Sequence, residues 1–180
     1  MRLFAYLGGF LYNYNMKIAI ISDIHDNLAN LKIFLRWAKK ANMEKIICCG
    51  DVTNSETIDF LAKSFGGEII LVQGNMEVYD DSILSNYLSV NYLGRYGALE
   101  VDGIIVGVCH EPEYIPKVME RNKAVKIIFY GHTHKPWIEN KNKINLVNPG
   151  TLGGVFQKAS FAFWDTKTGQ LELKLLELIK

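Results

Sequence analysis

Three short apolar runs, separated by segments with helical spacing, constrain this fold more than any other feature of the sequence. The runs are residues 17–22, 45–49 and 68–73, and each is almost continuously apolar. Strands that are buried on both faces have this composition, and they belong to parallel sheets covered by helices. Apolar residues at helical spacing follow Asn27, which can cap a helix, and a second helix is predicted near 56–64. The first half of the chain therefore indicates a βαβαβ arrangement.

The second half of the chain is richer in strands. Two strands joined by a tight turn at Asp102–Gly103 are predicted before a strand at 125–130. A helix is predicted over 79–88, and a short one after Pro116. Four more strands are predicted at 136–140, 143–147, 160–165 and 170–177. The sequence thus predicts one α/β domain over residues 16–180, with two sheets packed between helices.

A residue that can bind a metal follows each of five apolar runs, always on the C-terminal side. In chain order these residues are Asp23 with His25, Asp51, Asn75, His110, and His132 with His134. All four histidines of the chain are among them. Each residue alone could be a helix cap, a turn residue or a core histidine. Because ligands of open α/β sheets bind at the carboxyl ends of the strands, the shared position favours one functional site.

The composition of this set also predicts the kind of site. Two carboxylates, one amide oxygen and four imidazoles are too many ligands for one ion and suit two. A carboxylate can bridge two metals about 3.5–4 Å apart, the arrangement that clamps both oxygens of a phosphoryl displacement. Nitrogen and oxygen ligands without thiolate favour Mn²⁺, Fe²⁺, Co²⁺, Ni²⁺ or Zn²⁺ over Ca²⁺ and Mg²⁺. Two such ions outweigh the two carboxylates, so the site would attract an anionic substrate.

The overall charge offers an anion no other attraction. The net charge is +1 and no block of lysine or arginine occurs, so no extended nucleic-acid surface is expected. The three cysteines, Cys48, Cys49 and Cys109, are odd in number and lie in apolar runs. We therefore expect buried, reduced thiols and a cytoplasmic protein. No Cys-x-x-Cys pair occurs, which excludes a structural zinc site of that type.

Residues 1–15 are predicted to be an N-terminal extension outside the core. Their apolar stretch is shorter than the roughly 20 residues that span a bilayer. A signal peptide is the alternative, but no small-residue cleavage site precedes Met16, and the sequence from Met16 reads like a natural start. No other segment is apolar enough to cross a membrane, so no membrane partner is expected. The oligomeric state, monomer or homodimer, is left open.

The motifs at the strand ends resemble those of the calcineurin-like metallophosphoesterases. "DIHDN", "CGD", "GN", a lone histidine after a strand, "GHTH" and "NPGT" occur in the order and approximate spacing of that family. The similarity is greatest to small archaeal and bacterial phosphodiesterases that share their fold with a retromer subunit. The resemblance implies the metallophosphoesterase fold, a four-layer αββα sandwich of two mixed β-sheets flanked by helices.

The resemblance also implies a role for each of these residues. Asp51 would bridge two metals, of which Mn²⁺ is the expected one. The first metal would be held by Asp23, His25, Asp51 and His134, and the second by Asp51, Asn75, His110 and His132. Catalytic roles are expected for Asp51, Asn75 and His110. Residues 148–150 of "NPGT" would form a structural loop near the site.

Three departures from the family pattern, at four positions, occur in this chain. Met76 and Glu77 stand where many members have histidine and aspartate. The first change removes a histidine, and the second raises the question of what supports the neighbouring ligands. Glu111 and Glu113 follow His110 where glycine is usual. They would either repel a highly charged substrate or remain as solvated loop charges.

The implied function is hydrolysis of a small-molecule phosphoester, with a diester as the expected substrate, by in-line attack of a hydroxide that bridges two divalent metals. The alternative is a catalytically weak scaffold that keeps the fold and acts as a protein-binding module. The complete ligand set favours the enzyme. Neither a P-loop nor a Cys-x5-Arg phosphate loop occurs, which sets two rival phosphate chemistries aside.

Overall fold

The computed structural model describes residues 15–179 and, ahead of them, the backbone of two short strands. These strands, β1 (Tyr6–Leu7) and β2 (Phe10–Leu11), pair antiparallel. The rest of the predicted extension over residues 1–15 lies outside the described residues.

The first large sheet has six strands. They are β3 (Lys17–Ile21), β4 (Lys45–Cys48), β5 (Glu68–Leu71), β6 (Val90–Tyr92), β12 (Ser160–Asp165) and β13 (Gln170–Leu175). The order across the sheet is β13-β12-β3-β4-β5-β6. Strands β3, β4 and β5 run parallel, as the βαβαβ pattern predicts, and β6 adds a fourth parallel strand. Strand β12 pairs antiparallel with both of its neighbours.

The second large sheet has five strands. They are β7 (Tyr96–Val101), β8 (Ile104–Cys109), β9 (Ile127–Phe129), β10 (Trp137–Lys141) and β11 (Ile144–Asn148), in the order β10-β11-β9-β8-β7. The central strands are parallel and both edge pairs are antiparallel. Asp102 and Gly103 have φ values of 50° and 75°, which confirms the predicted tight turn between β7 and β8.

Three helices cover the outer faces of the sheets: α1 (Leu28–Lys40), α2 (Ser55–Ser64) and α3 (Ile115–Arg121). The predicted cap is confirmed, because the Asn27 side chain accepts the Asn30 N–H. Among the described helices, none combines the length and the apolarity that crossing a bilayer requires.

Alternation along each strand divides the interior into three cores. In β3, Ile18 and Ile20 join the core between the two sheets, whereas Ala19 and Ile21 join the core beneath α1 and α2. A third core packs Val118 of α3 against the outer face of the second sheet. Helices, sheet, sheet and helix thus form four layers, which confirms the predicted αββα sandwich with two mixed sheets.

The prediction is wrong at two places in detail. Residues 79–88, predicted as a helix, form only a 3₁₀ turn over Asp81–Asn86, because the aspartate, serine and asparagine residues in this stretch favour turns over helix interiors. The short edge strand β6 then follows, with too few and too exposed residues to give a strand pattern. The last strand ends at Leu175 rather than at residue 177.

Candidate metal centre

The loops that follow five strands bring all seven predicted metal-binding residues together. Asp23, Asp51 and Asn75 follow β3, β4 and β5 of the first sheet, and the four histidines come from the loops after β3, β8 and β9. Ligand atoms of two groups lie within 4.8 Å of one another: Asp23 with His25 and His134, and Asp23 with Asp51 and His110. The carboxyl edges of both sheets therefore meet at one site.

On one side of this site, His25 and His134 face each other. Their Nε2 atoms are 3.2 Å apart, and His134 Nε2 lies 3.1 Å from Asp23 Oδ1. The Nδ1–H of His134 donates to the Val155 carbonyl at 3.0 Å. Because a carbonyl can only accept, this contact places the proton on Nδ1 and leaves the Nε2 lone pair for a cation.

On the other side, His110 and His132 converge on Asn75. His110 Nδ1–H donates to the Cys49 carbonyl at 2.7 Å, which again leaves Nε2 free. His110 Nε2 lies 3.0 Å from Asn75 Oδ1 and 3.3 Å from Asp51 Oδ2, and His132 Nδ1 lies 2.8 Å from the same Asn75 oxygen. When His110 is neutral with its proton on Nδ1, three acceptor atoms face one another: His110 Nε2, Asn75 Oδ1 and Asp51 Oδ2. This arrangement requires a cation or a proton.

Asp23, Asp51 and His110 form the floor of the site, and all three are buried. Within the described residues, the side chains that form ion pairs with these two carboxylates are all histidines. Asp23 Oδ1 is buried and, within the same part of the chain, has no hydrogen bond of normal geometry. Buried carboxylates need a compensating positive charge, so the floor fits divalent cations.

The charges on the floor shift the pKa values of its members. Burial opposes ionisation of Asp51, but hydrogen bonds from His110 and from the Met76 N–H outweigh it and lower its pKa. Burial likewise opposes the charged form of His110. The hydrogen bond to Asp51 and the negative charge of Asp23 nevertheless raise the pKa of His110 to about 9. The two carboxylates of the floor thus favour the protonated, positively charged form of His110.

Most of the predicted metal ligands have an unusual backbone conformation. Five of the seven have left-handed φ values: Asp23 (54°), His25 (46°), Asp51 (53°), His132 (69°) and His134 (57°). Residues other than glycine adopt such values rarely, at a cost of about 1–3 kcal/mol each, and they concentrate at functional sites. The sequence gives only a weak signal for this feature: no glycine marks these positions, although aspartate and histidine adopt left-handed φ values more often than most residues.

Two glycines of the site motifs are required because atoms of other loops approach them too closely to leave room for a side chain. A Cβ at Gly74 would lie 2.1 Å from Asp51 Oδ1, and one at Gly131 would lie 2.0 Å from Ser22 Oγ. Both distances are far below van der Waals contact, so a larger residue would push the loops apart. These glycines allow the Asn75 loop and the His132 loop to pack against the floor.

Glu77, which stands where many family members have aspartate, supports the neighbouring ligand loops. Its carboxylate accepts the N–H groups of Thr53 (2.7 Å), Val52 (3.2 Å) and Gly74 (3.3 Å). Burial raises the pKa of Glu77, and these three hydrogen bonds oppose that shift. Glutamate therefore ties the loop that carries Asp51 to the loop that carries Asn75.

Other supporting residues fall inside the sequence motifs. Asp26 accepts the Asn54 N–H at 3.1 Å and the Thr57 hydroxyl at 2.8 Å, and so joins the loop after β3 to the loop after β4 and to the start of α2. Thr151 donates its hydroxyl to the Asp23 carbonyl at 2.9 Å. Asn148 donates to the Gly131 carbonyl at 2.8 Å, which supports the predicted structural role of residues 148–150. The sequence alone assigns no role to Asp26 or Thr151.

A pocket of about 510 Å³ opens above the floor. Its lining comprises His25, Asp51, Asn75, Met76, His132, Thr133, His134, Val155 and Phe156. We call four exposed residues of this lining, Asn75, Met76, His132 and Phe156, the rim. Glu111 and Glu113 do not line this pocket: Glu111 lies 3.8 Å from Arg95, and Glu113 is exposed. Their repulsion of a substrate is therefore disfavoured.

Most of this chain matches a known protein family. Residues 16–169 match the calcineurin-like phosphoesterase superfamily domain. A probable metallophosphoesterase of Methanocaldococcus jannaschii is 32% identical over 82% of this chain and 71% of its own length. A phosphodiesterase of the same organism is 25% identical over 77% of this chain and 86% of its own length.

Among the solved structures that share this fold are the following two. One, an archaeal phosphodiesterase, superposes with a TM-score of 0.79 at 23% identity, covering 89% of this chain and 99% of that one. The other, vacuolar protein sorting 29 from Cryptosporidium parvum, has a TM-score of 0.64 at 18% identity and covers 90% and 97%. The predicted family and its enzyme class, the phosphoric ester hydrolases, are confirmed. The chain belongs to the calcineurin-like phosphoesterase superfamily.

Proposed function

We propose that the protein is a metal-dependent phosphodiesterase that acts on small-molecule phosphoesters. The observation that carries this proposal is the convergence of acceptor atoms from Asp51, His110 and Asn75 beside the orphaned Asp23 oxygen. Such a set needs cations, and its mixture of nitrogen and oxygen atoms suits divalent transition metals. The M. jannaschii relative named phosphodiesterase supports the choice of a diester substrate.

The proposed centre holds two metals. One would be bound by Asp23, His25, Asp51 and His134, and the other by Asp51, Asn75, His110 and His132. Asp51 suits the role of bridge, because its Oδ2 lies 3.8 Å from His25 Nε2 and 3.3 Å from His110 Nε2. When bound, two divalent cations attract the phosphoester and activate water for in-line attack on phosphorus. We propose Mn²⁺, with Ni²⁺, Co²⁺, Fe²⁺ and Zn²⁺ as the alternatives that reconstitution distinguishes.

The residues of the chain would orient both the centre and the substrate. The carbonyls of Cys49 and Val155 fix the tautomers of His110 and His134, so that each Nε2 points to the centre. Asn75 and His132 are exposed at the rim, where they can contact a phosphoryl oxygen. Apart from the predicted ligands, no described residue of the pocket lining carries a titratable side chain. Substrates whose leaving group departs without a proton should therefore react best.

The location and assembly are also part of the proposal. Cys48, Cys49 and Cys109 are all buried and unpaired, a state that the reducing cytoplasm maintains. Burial raises the pKa of Cys109 to about 12, so its thiol stays protonated at neutral pH. Light scattering would distinguish a monomer from a homodimer.

The test is reconstitution of activity with defined metals. Protein stripped with chelator is loaded with each of the five metals, and hydrolysis of bis(4-nitrophenyl) phosphate is compared with that of 4-nitrophenyl phosphate. We expect Mn²⁺ to restore turnover, the diester to be preferred, and chelator to remove activity again. Asp51→Asn protein, purified in the same way, controls for contaminating phosphatases.

The scaffold alternative gives a different result in the same test. A protein-binding module would fold and bind metal, yet hydrolyse neither substrate faster than free Mn²⁺ does. That outcome, with two metals per chain confirmed by elemental analysis, would overturn the proposed activity.

A further inference from the structure

Phe156 is a large apolar residue that is both exposed and held in a strained backbone conformation. It lines the pocket of the metal centre, yet 90% of its side chain is exposed. Its φ is 60°, a left-handed value that is a genuine outlier for a bulky residue. Both the exposure and the backbone conformation are unfavourable, and together they call for a compensating role.

The position of the ring indicates what that role is. Phe156 stacks on His134, with ring centroids 5.7 Å apart and an interplanar angle of 25°. A ring that stays 90% exposed covers little of His134, so shielding of the predicted ligand does not account for it. The contact instead holds the ring beside the centre and leaves most of it accessible.

The loop that carries Phe156 is anchored rather than loose. Thr151 Oγ1 accepts the N–H groups of Gly154 (3.2 Å) and Val155 (3.4 Å), and the Val155 carbonyl accepts from His134. The residue before Phe156 thus orients His134, and Phe156 itself is presented to the pocket. Met76 is a second apolar residue of the lining and is 52% exposed. The pocket therefore combines a polar floor with apolar walls, which is typical of small-molecule sites.

We propose that Phe156 is a stacking platform for a planar aromatic group on the phosphoester substrate. This inference rests on the proposed function, since it names a class of substituent carried by the phosphorus that the centre would bind. A flat ring can offset-stack on the accessible part of Phe156 while the phosphoryl group lies at the metals. The substituent could be a simple aryl group or a nucleobase, and both present the same flat π-face.

The first experiment compares two diesters with the same charge and the same leaving group. They are bis(4-nitrophenyl) phosphate and methyl 4-nitrophenyl phosphate, which differ only in the retained substituent. We expect Phe156→Ala to lower kcat/KM for the aryl diester by roughly 2- to 10-fold and to leave the methyl diester unchanged. Leu88→Ala, which removes a fully exposed leucine outside the pocket lining, is the matched control and should change neither.

The second experiment separates this inference from the proposed activity. Phenylphosphonate and methylphosphonate cannot be hydrolysed, and calorimetry measures their binding to the Mn²⁺-loaded protein. The unmodified protein should bind phenylphosphonate more tightly, and Phe156→Ala should lose that preference whether or not the protein hydrolyses any diester. A 5′-nucleotide phosphonate, added as a third ligand, distinguishes a nucleobase from a simple aryl group by which of the two binds more tightly.

Two results would overturn the proposal that Phe156 is a stacking platform. One is an unchanged aryl-to-methyl ratio in Phe156→Ala, in both kcat/KM and phosphonate affinity. The other is an equal loss for both diesters with a lower metal content, which would mean that Phe156 only supports His134. If Phe156→Ala is insoluble, Phe156→Gly replaces it, because glycine adopts this φ without strain and removes the ring as well.

Discussion

The floor and the rim of the pocket differ in how firmly the structure holds them. Asp23, Asp51 and His110 on the floor are buried and are contacted by histidines, backbone N–H groups or a carbonyl. On the rim, Asn75, Met76, His132 and Phe156 are exposed. A buried polar network allows little variation, because every unpaired group in it is costly. An exposed rim can vary without loss of the fold.

The difference separates two properties of the proposed enzyme. Residues of the floor should decide whether metals bind. On the rim, Asn75 and His132 are proposed metal ligands as well, so Met76 and Phe156 are the residues that should decide which ester is hydrolysed. Variants that change both properties together, or that reverse this division, would break the comparison.

The largest effect is expected at the centre of the floor. Asp51→Asn removes the proposed bridge and its charge, so that the two metals repel each other more strongly. We expect kcat/KM to fall by more than the roughly 10–100-fold typical for loss of an outer-shell partner, together with the loss of at least one metal. Activity and elemental analysis measure both effects.

Asp59→Asn is the matched control for that change, because Asp59 is a surface carboxylate of α2 that pairs with Lys63. It should retain activity and metal content. Near-normal turnover of Asp51→Asn with two metals per chain would contradict the assignment of the bridge.

The next effect is expected at Glu77, which ties the floor to the rim. In Glu77→Ala the N–H groups of Val52, Thr53 and Gly74 lose their acceptor. We expect the free energy of unfolding to fall by about 1–3 kcal/mol and metal affinity to fall by about 10–100-fold. Denaturant unfolding and metal titration test this, with the exposed Glu56→Ala as control. Unchanged metal affinity would show that the two loops hold their positions independently.

A smaller effect, confined to the rim, is expected at Met76. Without a general acid, the rate should decline steeply as the pKa of the leaving group rises from aryl to alkyl alcohols. Met76→His should flatten this dependence by about tenfold at the alkyl end, below the ~10²–10⁴-fold of a well-positioned acid. The measurement is rate against leaving-group pKa for both proteins, with metal content as a check. A shallow slope in the unmodified enzyme would reveal an acid elsewhere.

The smallest effect is expected for the deletion of residues 1–15. The first large sheet begins at Lys17, and the Met16 N–H already donates to Thr166 Oγ1 at 2.8 Å. Deleting residues 1–15 should therefore shift Tm by less than about 2 °C and leave hydrolysis unchanged. Thermal melting and the diester assay check this. A protein that melts many degrees lower would make the extension part of the fold.

The sequence predicts the polar residues of the site better than the apolar part of its rim, for a physical reason. Asp23, Asp51 and His110 directly follow apolar strands, and the register of a parallel sheet brings such positions to one edge. The role of Phe156 depends on the path of a loop, which no periodic pattern encodes. The left-handed backbone of His25 and His134 is likewise set by tertiary contacts, because histidine adopts this conformation more often than most residues but does not require it.

The same contrast applies to the fold. The buried strands β3, β4 and β5 are predicted almost to the residue, because burial on both faces leaves a continuous apolar pattern. The 3₁₀ turn over Asp81–Asn86 is mispredicted as a helix, since local composition and tertiary context compete there. Supporting contacts such as those of Glu77 join segments that are distant in sequence, and they become visible only in three dimensions.

The distance along the chain between residues that meet at the site has a consequence for folding. His25 and His134 are neighbours in space but 109 residues apart in sequence, and they follow strands of different sheets. An unfolded chain cannot assemble this set, so metal binding and global folding are thermodynamically linked. At a metal concentration of 100 Kd, the linkage contributes about 2.7 kcal/mol to stability. Metal should slow native-state hydrogen exchange in β3, β4, β5, β8 and β9, the strands that lead into the ligand loops, as one cooperative unit.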